Sequence, residues 1–344
     1  MKKVLVTGGA GYIGSHTIVD LQKKGFEVIA IDNFYNAHPS VYAAIEKITE
    51  KPVTFHPIDL TNAEALHQVF EEHPNFSGII HFAALKSVGE SVEQPLTYFK
   101  NNITGLLNLL ACAEQFGVPN FIFSSSCSVY GNTTDLPVVE TTAFQPAESP
   151  YARTKQMGEQ ILEDFVGGTT KMKVISLRYF NPAGAHESIL IGEASTNKAS
   201  NLVPVITEVA IGKREKLVVF GEDYSTRDGS CIRDYIHIMD LADAHTKALE
   251  YLLKNQDAKK IDVFNLGSGE GVTVLEAIKA FEKVNGLALK YEIGPRRSGD
   301  VVAVYANNDK AKQLLGWLPK RGIEQIMESA WQWEINRSNG AYAT

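Results

Sequence analysis

Lys3-Val-Leu-Val-Thr-Gly-Gly-Ala-Gly-Tyr-Ile-Gly14 is a short apolar run that breaks into glycines, with Gly8, Gly11 and Gly14 three residues apart. The run predicts a strand, and Ser15 to Lys24, stopped by Gly25, predicts a helix. In a strand, glycine turn and helix of this kind, Gly8 permits the tight turn, Gly11 lets the backbone approach a pyrophosphate, and Gly14 lets the helix lie against the strand. The positive end of the helix then faces the anion. A second run, Glu27 to Ile31, ends in Asp32, twenty-four residues after Gly8. A carboxylate there suits the two ribose hydroxyls of NAD and repels the 2′-phosphate of NADP. The stretch therefore predicts a dinucleotide-binding domain that uses NAD.

The same alternation continues outward. Val53 to Ile58 reads as a third strand ending at Asp59-Leu60, a place for the adenine, and Gly78 to His81 as a fourth. The fourth runs into Phe82-Ala83-Ala84-Leu85-Lys86, whose small residues suit close approach of the backbone to a cofactor. Tyr98 to Phe116 reads as a long helix, Asn120 to Phe123 as a fifth strand ending in Ser124-Ser125-Ser126, and Val174 to Phe180 as a sixth. Repeated strand and helix predict an α/β, Rossmann-type, doubly wound parallel sheet, with ligands at the carboxyl ends of its strands. Beyond Phe180 the texture changes to shorter elements. The expectation is an NAD-binding domain over 1–180 and a smaller second lobe over 181–344, with about 233–254 packing back on the first domain.

Composition bounds the class. With 344 residues and 44% apolar content, the chain can bury two cores. No apolar run reaches the ~20 residues of a membrane span, and the immediate entry into a strand leaves no room for a leader. Three cysteines, Cys112, Cys127 and Cys231, suit a reducing cytoplasm better than a disulfide framework. The nine histidines show no pair at ligand spacing, so no metal is expected. A net charge of −7 without a basic run argues against nucleic acid, leaving local arginines to hold an anionic substrate.

Chemistry enters with Ser126, Tyr151 and Lys155. Ser149 reads as a helix N-cap with Pro150 in the first position, which places Tyr151 and Lys155 four apart on one face of the first two turns. Oxidation of an alcohol needs a base for the hydroxyl proton, and a phenol of ordinary pKa about 10 is a poor one. A lysine within roughly 5–6 Å at Cβ favours the phenolate. Tyr151 with Lys155 is the single Tyr-x-x-x-Lys in the chain.

Taken together, several segments resemble the extended short-chain dehydrogenase/reductase superfamily and, within it, the UDP-glucose 4-epimerase family. They are Thr7 to His16, His81 to Lys86, Ser124 to Tyr130, Ser149-Pro-Tyr151 with Lys155, Leu177 to Pro182, Arg233 to His237, and Pro295 to Asp300. The resemblance implies Tyr151 as the base at the sugar O4, Lys155 as the group that orients the nicotinamide ribose and lowers the tyrosine pKa, and Ser126 as a partner of the same O4. It implies a cofactor pocket of Gly8, Gly11, Tyr12, Ile13, Gly14, Asp32, Asn33, Asp59, Leu60, Phe82, Ala83, Ala84, Lys86, Asn101, Ser124, Tyr179 and Phe180. For the substrate it implies Lys86 as a further contact, Asn181, Asn201 and Leu202 near the diphosphate, and Leu217, Val218, Val219 and Phe220 along the uracil. Arg233 and Arg297 would neutralise the diphosphate, with Tyr235 and Asp300 completing the nucleotide pocket.

The implied reaction interconverts UDP-glucose and UDP-galactose through a 4-keto sugar that rotates before it is reduced from its other face, within a homodimer. One position departs from the pattern. Val304 stands where members restricted to glucose and galactose carry a bulky tyrosine, so N-acetylated UDP-sugars are expected to fit. Two rivals stay open at this stage. A nucleotide-sugar dehydratase needs an acid and base beside the serine, where this chain has Cys127 and Ser128, and a non-catalytic NAD-binding regulator would not need an intact triad.

Overall fold

A computed structural model describes residues 1–168, 170–194, 199–297 and 301–341. Its centre is a seven-stranded parallel sheet. Across the sheet the order is Ile261–Leu266, Lys173–Tyr179, Asn120–Ser124, Gly78–His81, Lys3–Thr7, Glu27–Ile31 and Thr54–His56. The chain winds outward from Lys3–Thr7 in one direction and then returns to build the other half from Gly78–His81. Thr7 and His81 are register partners where the winding reverses, and this is the crevice in which doubly wound sheets bind ligands.

Both faces of the sheet are buried, which is why its strands are continuously apolar. Val4 and Val6 point to one side, against Ile18 and Val19 of the helix Tyr12–Lys23 and Leu241 and Leu249 of the helix Ile238–Lys254. Leu5 points to the other, with Leu66, Leu109 and Leu162 from the helices Ala63–Glu72, Gly105–Gln115 and Pro150–Gly167. The helix Ile238–Lys254 thus lies on the first sheet, and Lys24 ties it down with an ion pair to Asp243 at 2.7 Å. A separate core of Ile206, Val219, Phe281, Ile326 and Met327 fills the second lobe.

Three details differ from the sequence reading. The seventh strand, Ile261–Leu266, comes from far beyond residue 180 and pairs with Lys173–Tyr179. Just beyond the last strand predicted from sequence, Asn181–Ala183 forms a short strand paired with Tyr235–His237. The long helix begins earlier, at Pro95, and widens into a π-type turn at Lys100–Thr104 before resuming at Gly105. There Asn102 turns inward, accepting from Leu85 N (2.8 Å) and donating to Leu85 O (3.0 Å) and Thr154 Oγ1 (3.1 Å). Wide turns of this kind are frequent at functional sites.

Candidate active site

The glycine turn closes tightly over the end of the first strand. Gly8 has φ +71°, a conformation that favours glycine, and its N–H donates to Ile31 O at 2.7 Å. A Cβ on Gly14 would stand 2.1 Å from Gly8 O, so the helix Tyr12–Lys23 can approach the strand only with glycine there. Asp32 follows the second strand, nearly buried. Its Oδ2 accepts from Ala10 N (2.9 Å) and its Oδ1 from Phe34 N (2.8 Å). Burial raises its pKa, and the backbone N–H groups pull the other way. Each oxygen still has acceptor capacity for a ribose hydroxyl.

Asn33 and Asp59, at the ends of neighbouring strands, meet at 2.8 Å. Leu60 is buried beside them, its carbonyl held by Asn108. On the other side of the crevice Phe82 N donates to Thr7 O (3.0 Å), bringing Phe82, Ala83 and Ala84 over the glycine turn. Tyr12, next to Ile13 in the first turn of the helix, reaches across to the second lobe and donates to Gly184 O at 2.6 Å. Asn101 lies in the wide turn Lys100–Thr104.

Ser126, Tyr151 and Lys155, the expected catalytic residues, lie where the fifth strand meets the helix Pro150–Gly167. Ser149 accepts from Ala152 N at 3.1 Å, the expected N-cap, with Pro150 following. Tyr151 is buried, and at the end of the fifth strand Ser126 Oγ accepts from Ser128 N at 3.2 Å. Lys155 Nζ lies 5.9 Å from the Tyr151 ring centre and donates to Ser124 O at 2.7 Å. Ser124 Oγ shares a 2.8 Å hydrogen bond with Tyr179 OH.

One electrostatic expectation is corrected. Burial raises the Tyr151 pKa well above that of a free phenol, and Lys155 does not offset it. The same burial brings Lys155 itself down to about 8, with Glu159 opposing the fall. The protein's own groups keep the phenol protonated, so its activation requires a further positive charge in the crevice.

The second lobe closes the other side. Lys86 pairs with Glu193 at 3.5 Å, and Asn201 donates to the same carboxylate at 3.3 Å from the N-cap of the helix Leu202–Ala210. Asn181 Nδ2 donates to Asp234 O (3.1 Å). Arg233 Nη1 holds the carbonyls of Ile232 and Val301, and Arg297 lies 5.4 Å over the Phe220 ring. The strand Leu217–Phe220 alternates: Val218 and Phe220 face outward, but Leu217 and Val219 belong to the lobe core and can offer a ligand only backbone atoms. Tyr235 is buried in that core as well. Asp300 lies outside the described residues.

Val304 pairs in register with Arg233 and packs, with Cys127, on a cluster of Val129, Tyr130, Val138, Phe180 and Ala306. Phe180 therefore joins the serine turn to the substrate lobe. Spacing along the chain shows no ligand pair among the histidines, yet folding brings His56, Glu72 and His73 within 4.8 Å of one another. The two imidazoles satisfy each other through a 2.9 Å contact between Nε2 atoms. Glu193 and Glu159 were not singled out by the sequence reading. Glu159 did carry a signal: a carboxylate four residues beyond Lys155 on the buried face of the helix.

Comparison with known proteins fixes the lineage of this arrangement. A family profile described as GDP-mannose 4,6 dehydratase matches residues 5–330. The UDP-glucose 4-epimerase of Erwinia amylovora is 47% identical over 98% of this chain and 99% of its own length. The chain belongs to the UDP-glucose 4-epimerase family. Among solved structures of the family, the enzyme from Bifidobacterium longum in complex with NAD+ and UDP superimposes with a TM-score of 0.93 at 42% identity, covering 98% of this chain and 100% of that one. A UDP-Glc/GlcNAc 4-epimerase from Campylobacter jejuni gives 0.84 at 38% identity, covering 98% and 100%. Beside Ser126, burial pushes the Cys127 thiol up to about 12.

Proposed function

We propose that this protein is a UDP-glucose 4-epimerase that uses tightly held NAD, with Tyr151, Ser126 and Lys155 as its catalytic residues. The observation that carries the reading is that Tyr151 and Lys155 stand on the buried face of one helix, with Lys155 bonded to the strand end that carries the serine turn, in a chain 47% identical to an epimerase over 98% of its length. The crevice fits the cofactor. Gly8 and Gly11 leave room for the pyrophosphate, with Gly14 letting the helix close over it, Asp32 suits the adenosine ribose, and Asn33 with Asp59 borders the adenine. Bound there, NAD supplies a two-electron acceptor that is refilled within each turnover.

The chain's own groups then divide the work. Ser126 holds O4 of the hexose, and Tyr151 takes its proton. Lys155 leaves Ser124 O to orient the nicotinamide ribose, its charge adding to that of the cofactor. Arg233 and Arg297 hold the diphosphate while the 4-keto sugar turns its other face to the cofactor side, and Tyr151 returns the proton to O4 as the two electrons come back to C4 with its hydrogen. Incubating the purified protein with UDP-galactose deuterated at C4, without added NAD, gives UDP-glucose that retains the label. Loss of the deuterium to solvent would overturn the reading.

Val304 supports a wider substrate range. It packs on the cluster of Val129 and Tyr130 in the serine turn, where a valine is smaller than a tyrosine, and the Tyr305 ring lies against Gly271. UDP-N-acetylgalactosamine is expected to turn over, and Val304→Tyr to abolish that activity while sparing UDP-galactose; equal rates for the N-acetylated sugar in both proteins would remove the idea. A homodimer is supported by a run of exposed apolar side chains on consecutive helices: Val88 (53% exposed), Val92 (61%), Leu96 (81%) and Leu107 (48%). Leu107→Glu is expected to halve the mass seen by light scattering, and an unchanged mass would count against this face. No helix among the described residues is long and apolar enough to cross a membrane, and the unpaired cysteines Cys112, Cys127 and Cys231 support a cytoplasmic location.

A further inference from the structure

Ser126 stands on a turn whose two flanks are tied to one buried ion pair. On the near flank Ser125, fully buried, donates its hydroxyl to Glu159 Oε1. On the far flank Tyr130, closing the 3₁₀ turn Cys127–Tyr130, accepts from Arg178 Nη1 at 3.0 Å and donates to Asn265 Oδ1 at 2.6 Å. Arg178 and Glu159 are locked together, with Nε to Oε1 at 2.9 Å and Nη2 to Oε2 at 2.6 Å, and their side chains are 6% and 7% exposed. The guanidinium also lies between the rings of Tyr130 and Phe144, 5.0 and 4.9 Å from their centres.

This pair touches neither crevice nor nucleotide lobe, but it is placed by the elements that carry the chemistry. Glu159 follows Tyr151 and Lys155 at four-residue steps on the buried face of the helix Pro150–Gly167. Arg178 precedes Tyr179, whose hydroxyl holds Ser124. Two successive rungs therefore join helix to serine turn: Lys155 to Ser124 O, and Glu159 to Ser125 Oγ. If Lys155 acts as proposed above, the first rung opens whenever it orients the cofactor.

We propose that Glu159, locked by Arg178, is the positioning residue of this site. It holds the serine turn against the catalytic helix through Ser125 and Tyr130, so that the Ser126–Tyr151 distance is kept while Lys155 is engaged elsewhere. This inference rests on the assignment of Tyr151, Lys155 and Ser126. A buried Arg–Glu pair of this kind is usually no net source of stability, which leaves its geometry as the property that matters.

The test uses the NAD-loaded protein and counts turnover per bound NAD, so that partial unfolding lowers the amount of active protein and not the rate per site. Ser125→Ala removes one rung without stranding a charge, and Glu159→Gln keeps a hydrogen-bonding side chain of the same shape. Each is expected to lower turnover per NAD by about ten- to a hundredfold, the scale of a small misplacement of reacting groups. KM for UDP-galactose should stay within about twofold, and the isotope effect from C4 deuterium should rise as the chemical step becomes limiting. Where Glu159→Gln fails to fold, Glu159→Leu with Arg178→Met replaces the pair by apolar side chains and must show the same loss. Wild-type turnover per NAD and an unchanged isotope effect in Ser125→Ala and in either pair variant would overturn the proposal. Tyr151→Phe run alongside separates the two claims: if it keeps full activity, the catalytic assignment fails whatever the Ser125 and Glu159 variants do.

Discussion

Lys155 carries the most exposed consequence at the scale of single residues. It is faced by Tyr151 and Glu159 along its own helix and by the His81 imidazole from the neighbouring strand, and burial brings it to about 8. Because the charged form is the useful one, it is present below that pH and lost as pH rises through it. Turnover is expected to fall on the alkaline side of about pH 8, and Glu159→Gln to move that limb to lower pH, since the carboxylate is what holds the lysine up. A limb that stays put in the variant would show that Glu159 does not sense Lys155. Tyr151, Lys155 and Ser126 were legible because their relation is local: one helical turn, and one strand end. Glu159 and Arg178 were not, although both stand in stretches whose elements were read correctly. Their pairing joins a helix to a strand nineteen residues on, and spacing says nothing about which buried charges find each other. Leu217 and Val219 show the reverse error, in which a whole strand was assigned to the ligand although side chains alternate between faces.

The elements themselves were read well wherever one period or one cap decided them. The glycine turn, the first two strands and the Ser149 cap follow from residue types with a single conformational use. Gly14 turns this into a prediction. Gly14→Ala would put a methyl group into Gly8 O, forcing the helix Tyr12–Lys23 off the strand. The variant is expected to purify without NAD and inactive, as read from the absorbance of released cofactor, and a variant loaded to wild-type level would refute the close-packing role. The elements read poorly are those whose identity depends on a distant partner. Asn181–Ala183 is a strand only because Tyr235–His237 runs beside it. The break at Lys100–Thr104 exists because Asn102 is claimed by Leu85 and Thr154.

For the molecule as a whole, five histidines are buried and neutral. Burial lowers His16, His81 and His237 to about 3, and His186 and His245 to about 4. Unfolded, each takes up a proton near pH 6.5. Between those values the unfolded chain binds more protons than the folded one, so stability is intact above about pH 6.5 and drains away as pH falls toward 4. The melting temperature should drop steadily across that window, and a flat profile from pH 6.5 to 5 would contradict the burial of these rings. The sheet's connectivity has its own outcome during synthesis. Its seventh strand is encoded some eighty residues after the sixth, so a growing polypeptide emerges from the ribosome with Lys173–Tyr179 as a naked apolar border until Leu266 is free. Nascent chains stalled short of that point should be digested rapidly by protease and captured by chaperones, whereas those released just past it should resist both.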